Sequence, residues 1–131
     1  FIGKHWNRKF IRAVQAVLNS TKGKIVLYQN QILYFEYHDK FNNLFNRVTK
    51  VVTTLGTFIL KEKISSIYKS LPQNEFIIPH KSYIVNLEQI KMFKQNEIIM
   101  HNNVKIPLSQ RRAAESRKIF NNYINSFYQE K

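Results

Sequence analysis

The stretch Phe76 to Asn86, FIIPHKSYIVN, limits most tightly what this chain can fold into. Pro79 disfavours helix for Ile78 before it and removes one backbone donor, so the segment runs into an extended element. Apolar residues at 76–78 and Tyr83-Ile84-Val85 on the other side anchor a short polar run, His80-Lys81-Ser82. One basic and two hydrogen-bonding side chains are thereby presented from a rigid base, at the mouth of a buried strand.

The rest of the chain falls into place around that stretch. Residues 1–20 read as a helix. Trp6, Phe10, Val14 and Val17 with Leu18 recur at helical spacing, and Lys4, Arg8, Lys9 and Arg12 lie mainly on the other side. Its apolar side is expected to pack on the domain or on an absent neighbour, with a membrane surface or DNA phosphates as the rival partners. Thr21 to Gly23 breaks it. From Lys24 onward the period shortens to two. Lys24 to Tyr28 and Ile32 to Tyr37 read as strands joined by a turn at Gln29 to Gln31, with Arg47 to Thr54 and Thr57 to Leu60 as the third and fourth. His38 to Asn46 is expected to be a polar loop. Ile64, Ile67, Tyr68 and Leu71 then fall at i, i+3, i+4 and i+7, and Pro72 closes that helix.

Beyond the central stretch, Leu87 to Ile90 reads as a helical turn. Met92 to Lys94, Glu97 to Met100 and Val104 to Leu108 read as a β-meander with a tight turn at Asn102-Asn103. Ser109 is a suitable N-cap for a last helix that buries Ala113, Phe120, Ile124 and Phe127. The expected division is a linker helix over 1–22 and one mainly β (α+β) domain over 23–131.

A chain of 131 residues has room for one domain, able to bury roughly two-thirds of its unfolded surface. Hydrophobic residues make up 44% of it, which supports a packed core and argues against disorder. Twenty-one Lys and Arg against eight Asp and Glu give a net charge of +13, which favours a polyanionic partner. The absence of cysteine excludes a disulfide framework and thiolate metal sites, and fits a reducing cytoplasm. No apolar run approaches membrane-spanning length, and no signal peptide is visible. Because the first residue is Phe1, the chain is expected to be a piece of a longer polypeptide.

No enzyme constellation stands out. Three glycines make no phosphate-cradling loop, and His5, His38, His80 and His101 lack metal-ligand spacing. The acids are scattered, with no adjacent pair for general acid and base work. His80 and Ser82 share a strand face, yet no third group or oxyanion hole accompanies them. No cofactor is expected.

The central stretch resembles the signature of the LytTR family, a bacterial DNA-binding domain, written F-x-R-x-H-R-S-Y-I-V-N. Phe76, His80, Ser82, Tyr83, Ile84, Val85 and Asn86 match it; Lys81 stands where the family often has Arg, and Ile78 replaces the family's usual Arg. The resemblance extends in order from Lys24 to Tyr123. It takes in the strand ending at Glu36, T-x-x-G-x-F at Thr53 to Phe58, a helix, the signature, a hairpin, and I-P-L-S at Ile106 to Ser109. The loop before the third strand is longer than the family pattern, so its contacts cannot be matched position by position.

The resemblance implies an antiparallel β sandwich with short flanking helices. It implies binding to specific double-stranded DNA as the output domain of a transcriptional response regulator, through loops at the sheet edge and the start of the last helix. It further implies a cytoplasmic two-component setting, a receiver domain outside this chain, paired direct repeats as target, and room for a dimer on DNA. The candidate DNA-binding residues are Lys40, Arg47, Lys50, His80, Lys81, Ser82, Arg111 and Arg112. Arg47 is favoured within the loop, and His80 is read as a structural hydrogen-bonding residue more than a base reader.

Arg111 and Arg112 also carry an argument of their own. They fall in the first turn of the last helix, where a cation opposes the macrodipole by roughly 0.3–1 kcal/mol. The first turn holds no acid, Glu115 coming a turn later, whereas a phosphate would relieve the conflict. The rival reading is an RNA-binding or anionic-membrane-binding module built on the same charge.

Overall fold

The computed structural model describes residues 15–41 and 45–128, and the side chains of 16–38 and 48–127. Within these residues ten strands form two antiparallel sheets. The first sheet uses β1 (Gln15–Ser20), β2 (Gly23–Tyr28), β3 (Ile32–Phe41), β4 (Phe45–Thr53), β5 (Gly56–Leu60), β6 (Phe76–His80) and β7 (Tyr83–Asn86). Their spatial order is β2-β1-β5-β4-β3-β7-β6. The second sheet holds β8 (Ile90–Phe93), β9 (Glu97–Met100) and β10 (Lys105–Pro107) in the order β10-β9-β8. Helix α1 (Ile64–Ser70) joins β5 to β6, and α2 (Gln110–Tyr128) follows β10. The mainly β, antiparallel expectation holds, although α2 is a 19-residue helix and not a short one.

Strand alternation splits the core in two. Successive residues of a strand face opposite sides of the sheet, so Phe35, Ile84 and Phe76 go to one cluster while Tyr34, Val85 and Ile77 go to the other. The first cluster is closed by Ile64 and Ile67 of α1, by Leu71 just after it, and by Leu18 and Leu27 of the β1–β2 hairpin. The second is closed by Ile98, Met100 and Ile106 of the small sheet and by Tyr123 of α2. Phe120 of α2 stacks on Phe93 at 5.0 Å between centroids, and Arg117 lies over the same ring. Asn86, the last residue of the central stretch, is a fully buried amide with its polar atoms matched. Its Nδ2 donates to the carbonyls of Gln29 and Ile32, and its Oδ1 accepts from the Glu88 N–H.

Two expectations are corrected. Residues 15–20 are a strand, not the end of a helix: Leu18 is 4% exposed and its neighbour Val17 is 59% exposed, the alternation of a pleated hairpin arm. Every residue from Gln15 to Ser20 pairs in register with β2. The adjacent apolar pair Val17-Leu18 suits either period, and the available partner strand decides it. The remainder of the expected helix, 1–14, lies outside the described residues. The polar loop expected over His38 to Asn46 is instead largely ladder, because β3 continues through Phe41 and pairs Lys40 with Asn46 and Phe41 with Phe45.

Candidate nucleic-acid interface

The signature builds a hairpin tip. In β6 and β7 His80 pairs with Tyr83, so Lys81 and Ser82 form the two-residue turn between them. The His80 Nδ1 accepts from the Ser82 N–H at 3.1 Å, and the imidazole meets the Tyr83 ring edge-on at 5.8 Å. The Ser82 carbonyl accepts from the Tyr37 N–H of β3 at 2.8 Å. His80 thus holds the turn shut, and Lys81 is left exposed at its apex.

Behind the tip sits a polar network centred on Glu36. The Tyr83 hydroxyl donates to Glu36 Oε2 at 3.0 Å, His38 Nε2 lies 3.1 Å from the same oxygen, and Lys50 Nζ lies 3.4 Å from Oε1. Burial, with the negative charge and hydrogen bond of Glu36 and the nearby Tyr34, pushes the Tyr83 phenol up to about 12.

The start of α2 is tied to this tip by one backbone bond. The Ser109 N–H donates to the Pro79 carbonyl at 2.9 Å, and the Ser109 carbonyl accepts from the Arg112 N–H at 3.1 Å. Proline is admissible in β6 because that strand is a sheet edge with an irregular register between Ile77 and His80. Arg111 is exposed and Arg112 half-buried, and the first turn of α2 contains no acid. Arg112 and Lys81 line one cleft together with Ile78, and Arg111 lines a second with Arg112 and Ile78. Among the described residues, no acid stands within ion-pair distance of Lys81, Arg111 or Arg112.

The family model of the LytTr DNA-binding domain matches residues 22–121. The chain belongs to the LytTR family. Among solved structures it is similar to the LytTr DNA-binding domain of a putative methyl-accepting/DNA response regulator from Bacillus cereus. That match has 28% identity and a TM-score of 0.67, and covers 80% of this chain and 94% of that one. No curated protein matches the chain. LytTR domains are DNA-binding domains without enzymatic activity. Among the described residues no helix is long and apolar enough to cross a membrane, and no group of three or more His, Cys, Asp or Glu is placed to hold a metal ion.

Within this LytTR domain the candidate residues fall into separate groups. His80, Lys81, Ser82, Arg111 and Arg112 converge where the tip meets α2. Lys50 is turned to Glu36 across the β3–β4 pair. Lys40 and Arg47 lie in β3 and β4, near the far end of their hairpin, and their side chains fall outside the described ones. Ile78, which stands in place of the family's cation, packs half-buried against the first core cluster. Sequence reasoning missed Lys61 and Lys63, which line the cleft that holds Lys81 and Arg112. The available signal was a pair of lysines just ahead of a helix, where a capping side chain would be expected.

Proposed function

We propose that this domain binds specific double-stranded DNA as the output domain of a bacterial transcriptional response regulator in a cytoplasmic two-component system. The observation that carries the reading is the Ser109–Pro79 backbone bond. It fixes the α2 arginines beside the Lys81 tip, so donors for base edges and cations for phosphates share one stiff scaffold. Lys81 projects as the base-edge donor, with Arg111 and Arg112 on phosphates or bases. The β3–β4 hairpin, through Lys40 and Arg47, forms the second arm. His80 and Ser82 shape the tip, and Lys50 acts by holding Glu36. A receiver domain lies outside this chain. The target is a pair of direct repeats, on which two copies assemble. Membership of the family and the response-regulator setting of the Bacillus cereus domain support this reading.

The test is selection of bound duplexes from a random pool. Enrichment of one repeated motif is the expected result; recovery of unrelated sequences with equal affinity would reduce the domain to a non-specific polyanion binder.

A further inference from the structure

The β5–α1 corner carries charge that the tip and the start of α2 do not use. Lys61, Glu62 and Lys63 line a cleft of about 430 Å³ whose lining also includes Lys81 and Arg112. Four cations therefore surround one space with a single acid among them. Glu62 is half-buried and within 3.5 Å of the Asn19 Nδ2. Among the described residues, none of the four cations has an acid within ion-pair distance. Like charges gathered around one cleft repel, and the arrangement is relieved by an anion placed among them.

The local sequence points the same way. Lys63 occupies the N-cap position of α1 and makes no side-chain cap bond. Ser, Thr, Asp or Asn at that position would satisfy a free N–H of the first turn. Helix α1, seven residues long, is too short to serve as an anion seat itself. What the cap position supplies is an exposed cation held at the rim of the cleft, with Lys61 exposed two residues before it.

We propose that this cleft seats a backbone phosphate of the bound DNA, with Lys61 and Lys63 closing on it from the side opposite Lys81 and Arg112. The inference rests on the DNA-binding reading and extends it to a third contact region. The phosphate belongs to the duplex because the cleft shares Lys81 with the tip that faces the bases and Arg112 with the start of α2 beside it. Phosphate contacts fix register and carry no sequence information. Lys61 and Lys63 therefore set affinity and salt dependence and leave base preference alone.

The experiment compares the wild-type domain, Lys61→Gln/Lys63→Gln and Lys61→Arg/Lys63→Arg on the same selected duplex, across a salt titration, with thermal melts of each free protein. In the glutamine variant the slope of log K against log salt should shrink by about 0.9 for each phosphate no longer neutralised. Its ranking of competitor duplexes and its melting temperature should match the wild type, and the arginine variant should keep the slope. An unchanged slope in the glutamine variant, with wild-type binding intact, overturns the cleft assignment alone. A wild-type protein that binds no duplex overturns the DNA-binding reading and this inference together. In a third arm, inorganic phosphate is titrated into the free domain. Saturable binding that disappears in the glutamine variant, combined with an unchanged duplex slope, assigns the cleft to a free phosphorylated ligand and overturns the proposal.

Discussion

Lys81 and Tyr83 sit two residues apart and do different work. Lys81 is exposed at the apex, and the turn beneath it is held by the His80–Ser82 bond. Lys81→Ala should weaken specific binding and flatten preference at one or two base positions, seen in a competition assay against single-base variants. A good bidentate contact discriminates by about 1–3 kcal/mol, and lysine, lacking the guanidinium fork, belongs at the low end. Tyr83 is bound to Glu36, and its phenol titrates at about 12 against an ordinary 10.0. The folded state holds this proton more tightly than the unfolded chain does. The resulting stability is whole below pH 10 and is lost as pH rises through about 12. Tyr83→Phe should remove a late-titrating phenolate from an absorbance titration and make stability less sensitive to pH in that window. At neutral pH it should cost about 1 kcal/mol through loss of the hydrogen bond. The signature made Lys81 and His80 readable from sequence. Ile78 was readable too, since an apolar residue ahead of Pro79 in a buried run belongs to the core, and there it packs.

At the scale of elements, two hairpins share one closing device. Ser20 and Thr53 each donate a hydroxyl to the carbonyl of a glycine three residues on, and each accepts from the N–H two residues on. The glycines, Gly23 and Gly56, sit at φ +131° and +132°, where a side chain is strained whatever space surrounds it. Gly56→Ala meets no atom within 4 Å, so its effect is pure backbone strain, of order 1–3 kcal/mol. A urea melt should show a lower midpoint with an unchanged slope, and DNA affinity well below that midpoint should stay at wild-type level. Gly23–Tyr28 was legible because it alternates after a turn signal, and Gly56–Leu60 because a short apolar run follows a glycine. The outer part of the β3–β4 hairpin was not. Its register through Lys40 and Asn46 is held by ladder hydrogen bonds, which leave no apolar alternation in the sequence. The strand at 15–20 was missed for a different reason: a valine-leucine pair fits both periods until a partner strand is known.

Across the whole molecule, the site depends on a tie between β6 and α2 that no local pattern encodes. The core clusters on the two faces of the large sheet fix α2 against one side, and the Ser109–Pro79 bond then sets where its first turn ends up. The order of residues supplied a motive for the arginines, a cation at the wrong end of a dipole, but not a neighbour. Their proximity to Lys81 supplies one, on a chain whose net charge is +13. Arg111→Gln/Arg112→Gln should therefore reduce affinity and lower the salt slope by roughly 0.9 for each phosphate no longer neutralised. The free protein should melt no lower than wild type and slightly higher if the pair is unrelieved, because two cations leave the positive end of α2. Half-buried Arg112 is the sensitive member, since it lines both clefts beside Ile78. A salt titration run beside thermal melts separates the cases. An intact slope means that the pair stands idle in solvent. A lowered melting temperature means that it holds α2 in place, and either result takes these arginines out of the interface.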